Sequence, residues 1–243
     1  MGFFPPDYKP ASAEGGEKKS ELNPKYWEFQ KRHMPENNKI SFRMCGDWDS
    51  GHVAVGWQYF TMDGRIRRFT KYPKDFASDI GLTFEAKFAK ADALEKLKAE
   101  GKDKERPKYF MSFVAYFPDR KDFVCVTVTQ KKVREQIEAI LSMDDYKDPM
   151  ESGVFNFTVT VQKKGEGTDT TWTVTPTLKK PTPAFEEKWT AAKSGIWLPA
   201  LFEGADPFAG KPAEAKIEGL PPMARDELGA DKELATAGVG EDW

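Results

Sequence analysis

The sequence predicts a mainly β fold with a few helices. Three observations carry this expectation. Several runs alternate polar and apolar side chains, the period of a half-buried strand. Two pairs of such runs flank short turn-rich segments, as hairpins do. Both ends of the chain are poor in apolar periodicity and rich in Pro, Gly, Ala and charge, so the strands are confined to the middle. The 243 residues are enough for one sizeable core with extensions, or for two small domains.

Residues 1–24 read as a flexible N-terminal arm. Lys39 to Cys45 alternates cleanly and predicts a strand. His52 to Phe60 predicts another, with Val53, Val55, Trp57 and Tyr59 on one face. Met62-Asp63-Gly64 is a turn, across which Arg65 to Phe69 pairs back. An insertion at about 84–105 carries Phe84, Phe88, Ala91 and Leu97 at helical spacing, which predicts one helix over 85–100 with Gly101 as its stop. Phe110–Phe117 and Asp122–Thr129 form a hairpin around Pro118-Asp119-Arg120-Lys121. Gln130 to Met143 sets Val133, Ile137, Ile140 and Leu141 on one helical face. A last hairpin joins Phe155–Val161 to Thr170–Thr175 through Gly165-Glu166-Gly167, and Pro176 is expected to end it. Pro183 to Lys193 predicts a short helix. Residues 211–243 read as a disordered acidic tail. Five or six strands with a helix between two hairpins form an OB-fold-like antiparallel β-barrel, here spanning 25–210. An antiparallel sheet with helices on one face stays open.

Catalytic signatures are missing from this pattern. His33 and His52 stand in no metal spacing with Cys45 and Cys125, and both cysteines lie in apolar runs that suit reduced, buried thiols. The glycines at 165 and 167 lack a phosphate-loop pattern and fit a hairpin loop. Asp144, Asp145 and Asp148 follow a helix and precede Pro149, as a solvated turn does. The chain is therefore read as a non-enzyme with no cofactor and no metal. No apolar run approaches the roughly 18 residues of a membrane span, and the N-terminus has no charged segment leading into an apolar one. A soluble protein without a signal peptide or membrane partner is expected.

Charge is uneven. Residues 25–200 hold 30 Lys+Arg against 25 Asp+Glu, whereas residues 201–243 hold 4 against 10. A basic body that also carries aromatics suits single-stranded nucleic acid, whose bases stack on rings and whose phosphates need cations. The richest mixed stretch runs from Trp57 to Tyr72, with five aromatics and four cations in sixteen residues. Trp57, Tyr59, Phe69, Tyr72 and Trp172 are the candidate stacking rings. Arg65, Arg67, Arg68, Lys71, Lys131, Lys163 and Lys164 are the candidate phosphate contacts. Strand aromatics also build cores, and Phe42, Phe113, Phe123 and Phe157 are assigned there.

Several segments resemble the single-stranded DNA-binding proteins of tailed bacteriophages. They are Lys25-Tyr26-Trp27, Asn38 to Arg43, Gly56-Trp57, Gln130 to Ile137 and Asp206-Pro207-Phe208. The most specific is Phe155–Thr160 with Lys164-Gly165-Glu166-Gly167-Thr168-Asp169-Thr170-Thr171-Trp172-Thr173-Val174-Thr175-Pro176. The resemblance covers about residues 25–208. It implies an OB-type barrel that coats single-stranded DNA in replication, recombination and repair, with self-association along the strand. It also implies an acidic tail ending in an aromatic, here Glu241, Asp242 and Trp243, that recruits DNA polymerase or helicase/primase in the cytoplasm of the infected host. The tail is only sparsely acidic and carries Lys232. A protein-interaction or structural module on the same barrel is the competing expectation.

Overall fold

A computed structural model describes residues 23–29, 33–165 and 169–212. The elements in order are β1 (Tyr26–Glu28), β2 (Lys39–Cys45), β3 (Val53–Phe60), β4 (Ile66–Phe69), α1 (Phe84–Phe88), α2 (Ala91–Ala99), β5 (Lys108–Phe117), β6 (Asp122–Val128), α3 (Lys131–Leu141), β7 (Phe157–Lys164), β8 (Thr171–Leu178), α4 (Pro183–Lys193) and a 3₁₀ turn (Leu198–Glu203). The mainly β expectation holds. The described residues divide into two compact units, those up to Val55 with Lys108–Lys193, and Gly56–Pro107 with those from Ser194 onward.

The first unit is organised around β2. Its leading half, Lys39 to Phe42, pairs antiparallel with β7, and its trailing half, Arg43 to Cys45, pairs antiparallel with β5. One strand thus serves two partners in succession, giving the path β1-β6-β5-β2-β7-β8. Two features differ from the expected antiparallel barrel. β1 runs parallel to β6, so the pairing is mixed, and among the described residues no pairing joins β8 to β6 or β1. A three-residue strand gives no alternation to read, which is why β1 escaped the sequence.

Both faces of this sheet are covered. On one face Phe42, Phe113, Phe117 and Phe157 pack with Val133, Ile137 and Ile140 of α3. On the other, α4 brings Phe185 against Tyr116 at 4.8 Å and Trp189 against Phe123 at 5.2 Å. Double coverage explains why β5 and β6 are buried along nearly their whole length instead of alternating. It also buries Arg43, whose Nη1 donates to the Phe155 carbonyl at 2.6 Å while its guanidinium lies 5.6 Å from the Phe185 ring. Cys45 and Cys125 are both buried, and burial pushes the Cys45 thiol well up.

The outer edge of β8 is sealed by one side chain. Gln136 of α3 donates from Nε2 to the Trp172 carbonyl (3.0 Å) and accepts at Oε1 from the Val174 N–H (3.0 Å). Pro176 stands two residues further along the same edge, where a missing N–H removes a donor that nothing would fill. Pro176 was expected to end the strand. The strand continues to Leu178 because the proline faces outward, away from β7.

In the second unit β3 and β4 form a hairpin, with Trp57 opposite Phe69 and Tyr59 opposite Arg67. Gly64 turns it at φ +78°, and the Thr61 N–H donates to the Arg65 carbonyl at 2.9 Å. Of the residues expected to share one face of β3, Val53, Val55 and Trp57 are half-buried and Tyr59 is buried, while Ala54 and Gln58 between them are buried too. The insertion holds two helices instead of one, because Ala89 and Lys90 are extended between them. Thr83 caps the first, its hydroxyl accepting from the Ala86 N–H. Gly101 at φ +64° follows the second, as expected. α2 buries none of its residues, so the apolar spacing along it marks no core face.

Candidate nucleic-acid interface

The predicted side chains fall into two groups, one in each unit. Those of the second unit sit on the β3–β4 hairpin and the segment after it. Gly56 sets the spacing there. A Cβ on it would lie 2.2 Å from the Phe69 carbonyl oxygen and 3.0 Å from Cε1 of Phe202, so only glycine lets β4 and the Phe202 ring approach β3 this closely.

Four of the five predicted rings cluster here. Trp57 meets Tyr72 edge-on at 4.9 Å, and Tyr72 meets Phe76 edge-on at 5.9 Å. Tyr59 stacks on Phe69 at 5.5 Å with their planes 13° apart. Exposure separates their roles. Tyr72 is 48% exposed, Trp57 and Phe69 are half-buried, and Tyr59 is only 4% exposed. The Tyr59 hydroxyl donates to Oδ1 of Asp79 at 2.8 Å, and burial followed by that bond raises its pKa. Tyr59 therefore presents no open ring face and acts as the support under Phe69.

The cations of this group are held differently. Arg67 pairs with Asp79 at 2.9 Å, which joins it to the Tyr59 hydroxyl. Arg65 pairs with Asp63 at 3.1 Å. The Thr61 hydroxyl bond, with Arg65 adding to it, holds the Asp63 carboxyl below its ordinary value. Arg68 donates from Nε to Oε1 of Gln58 at 3.1 Å, and the exposed Lys71 follows β4. Arg68, Phe69, Lys71, Tyr72, Pro73 and Phe202 line a cleft of about 410 Å³.

The first unit holds the second group. Trp172 on β8 lies directly opposite Lys163 on β7, and Lys164 opposite Thr171. The Trp172 ring is half-buried, edge-on to Phe29 at 5.8 Å and packed on the core, so one part of it is structural. Lys164 is exposed and Lys163 half-buried. Lys131 opens α3 and approaches Glu135 at 3.9 Å. Glu166, Gly167 and Thr168 of the hairpin tip lie outside the described residues, as do Glu241, Asp242 and Trp243 and most of the two terminal segments.

Phe202 and Gly56 are the participants that site reasoning missed. Phe202 stands 130 residues from Tyr72 in sequence, inside an apolar turn that reads as core. Gly56 beside Trp57 was the only local sign of a close approach. Phe42, Phe113, Phe123 and Phe157 are all buried, as assigned. No group of three metal-ligating side chains is found among the described residues. No helix among them is long and apolar enough to cross a membrane. Compared with family models, curated proteins and solved structures, the chain matches none.

Proposed function

We propose that this chain coats single-stranded DNA without sequence preference, on an OB-type sheet, as single-stranded DNA-binding proteins of tailed phages do. The observation that carries the proposal is where the two groups of side chains fall in the chain. In an OB layout the first strand pairs on both sides, and a helix separates the third strand from the fourth. The connections between strands one and two and between strands four and five carry the oligonucleotide contacts. Here β2 pairs with both β5 and β7, and α3 separates β6 from β7. The first connection then contains Trp57, Arg65, Arg67, Arg68, Phe69, Lys71 and Tyr72, and the last, between Lys164 and Thr171, is flanked by Lys163, Lys164 and Trp172.

Phosphates would be met by the cations, with counterion release giving a steep dependence on salt. Bases would stack on the more open rings, Tyr72 first, then Trp57, Phe69 and Trp172. Tyr59, Arg65 and Arg67 hold the hairpin in shape. The acidic C-terminal segment, Glu241, Asp242 and Trp243 included, would recruit DNA polymerase or helicase/primase in the cytoplasm of the infected host. Self-association would occur along the coated strand.

The test is intrinsic tryptophan fluorescence during titration with oligo-dT at low and high salt, repeated for Trp57→Phe and Trp172→Phe. Saturable quenching that salt reverses, and that shrinks in at least one variant, is the expected result. No quenching and no mobility shift would overturn the reading and leave a protein-interaction module in its place.

A further inference from the structure

We infer that the cleft of the second unit is a seat for one base of the bound strand, received against Tyr72 and Phe202 with Lys71 and Arg68 on the adjoining phosphates. The inference rests on the single-strand reading and deepens it. One wall of this subsite, Phe202, lies 130 residues from Tyr72 in sequence.

The cleft has the size for this occupant. Its volume of about 410 Å³ has room for a nucleobase with its sugar. Its chemistry fits too. The lining offers rings and a proline for an apolar flat face, two cations for phosphate, and no carboxylate to repel it. The walls are held before any ligand arrives. Tyr72 is braced edge-on by Trp57 at 4.9 Å and by Phe76 at 5.9 Å, yet remains 48% exposed. Phe202 packs closely on the hairpin at Gly56, its Cε1 lying 3.0 Å from where a Cβ would stand. Pro73 fixes the backbone just after Tyr72. Rings fixed in place lose little freedom when a base stacks on them, which favours binding.

The experiment compares oligo-dT with an abasic oligonucleotide of the same length and phosphate number, using the full chain. Wild type, Tyr72→Leu and Phe202→Leu are titrated with both. Wild type is expected to prefer oligo-dT. Each variant is expected to lose at least about fivefold in affinity for oligo-dT, the low end for one base–aromatic stack, with affinity for the abasic strand unchanged. Tyr72 is half exposed, so Tyr72→Leu gives the decisive result if Phe202→Leu fails to fold, as judged by its melting curve. If wild type binds both strands and Tyr72→Leu weakens them equally, or weakens neither, the base seat is overturned while coating survives. If wild type binds neither strand, both readings fall.

Discussion

At the scale of single residues, the sharpest constraint is Gly56. Its hypothetical Cβ meets a backbone oxygen at 2.2 Å, which cannot swing aside as a side-chain end can. Gly56→Ala should therefore destabilise the protein by about 1–3 kcal/mol, the ordinary cost of overpacking, measured as a shift in urea midpoint. An unchanged midpoint would mean that β4 can retreat freely. His52 supplies a pH-dependent residue. Its Nε2 faces the Lys193 carbonyl at 3.0 Å and its ring lies edge-on to Trp189 at 5.0 Å. Burial pushes its pKa below the ordinary value of 6.5, although the carbonyl and Asp47 pull the other way. The unfolded chain then binds a proton near pH 6.5 that the folded chain refuses. Stability from this residue is complete above that pH and is lost as pH falls toward the depressed folded value. Urea midpoints between pH 7.5 and 5.5 should fall more in wild type than in His52→Gln. Parallel profiles would remove His52 from the account.

At the scale of elements, β8 ends the strand path and Gln136 guards its outer edge. Gln136→Leu keeps the bulk but leaves the Trp172 carbonyl and the Val174 N–H without their shared partner. A loss of about 1–3 kcal/mol is expected. Light scattering should also show association through the opened edge. A monodisperse variant with an unchanged melting point would show the seal to be dispensable. The elements also show what a sequence can disclose. β2 and α4 are found over the residues expected, because each had a clean period and clear boundaries. The hairpins β5–β6 and β7–β8 are present with ends displaced by one to three residues. The broken insertion was not legible, since the apolar spacing runs on across the break at Ala89 and Lys90, although α2 buries none of its residues and Phe88 is 75% exposed. Tyr59 and Arg43 were equally opaque. Nothing local tells an exposed strand tyrosine from one buried on Asp79, or a surface arginine from one roofed by α4.

At the scale of the whole molecule, the proposed activity makes one additive expectation. Lys71, which follows β4, and Lys164, which ends β7, are exposed cations that the proposal sets against phosphates. Each phosphate contact contributes about 0.7 to the slope of log affinity against log salt on single strands. Lys71→Gln and Lys164→Gln should each flatten that slope by about this amount on a long oligo-dT, and together by about twice as much. A slope untouched by either change would detach both lysines from the phosphate path. The site was legible in kind but not in membership. Cations and rings in one stretch announced the hairpin, but which rings lie open is set by Asp79, Phe76 and Phe202, all outside that stretch.

The double pairing of β2 also governs when the protein can finish folding. Lys39 meets Gln162 and Phe42 meets Val159, so the leading half of β2 waits for chain made nearly 120 residues later. At ribosomal rates of roughly 5–20 residues per second, Ile40 and Phe42 spend on the order of 6–24 seconds without their partners on β7. During that interval the nascent chain carries an unfinished sticky strand, and contacts this distant in sequence close slowly even after release. Synthesis in bulk should therefore favour cool growth and slow induction, with losses appearing as inclusion bodies and not as degraded monomer.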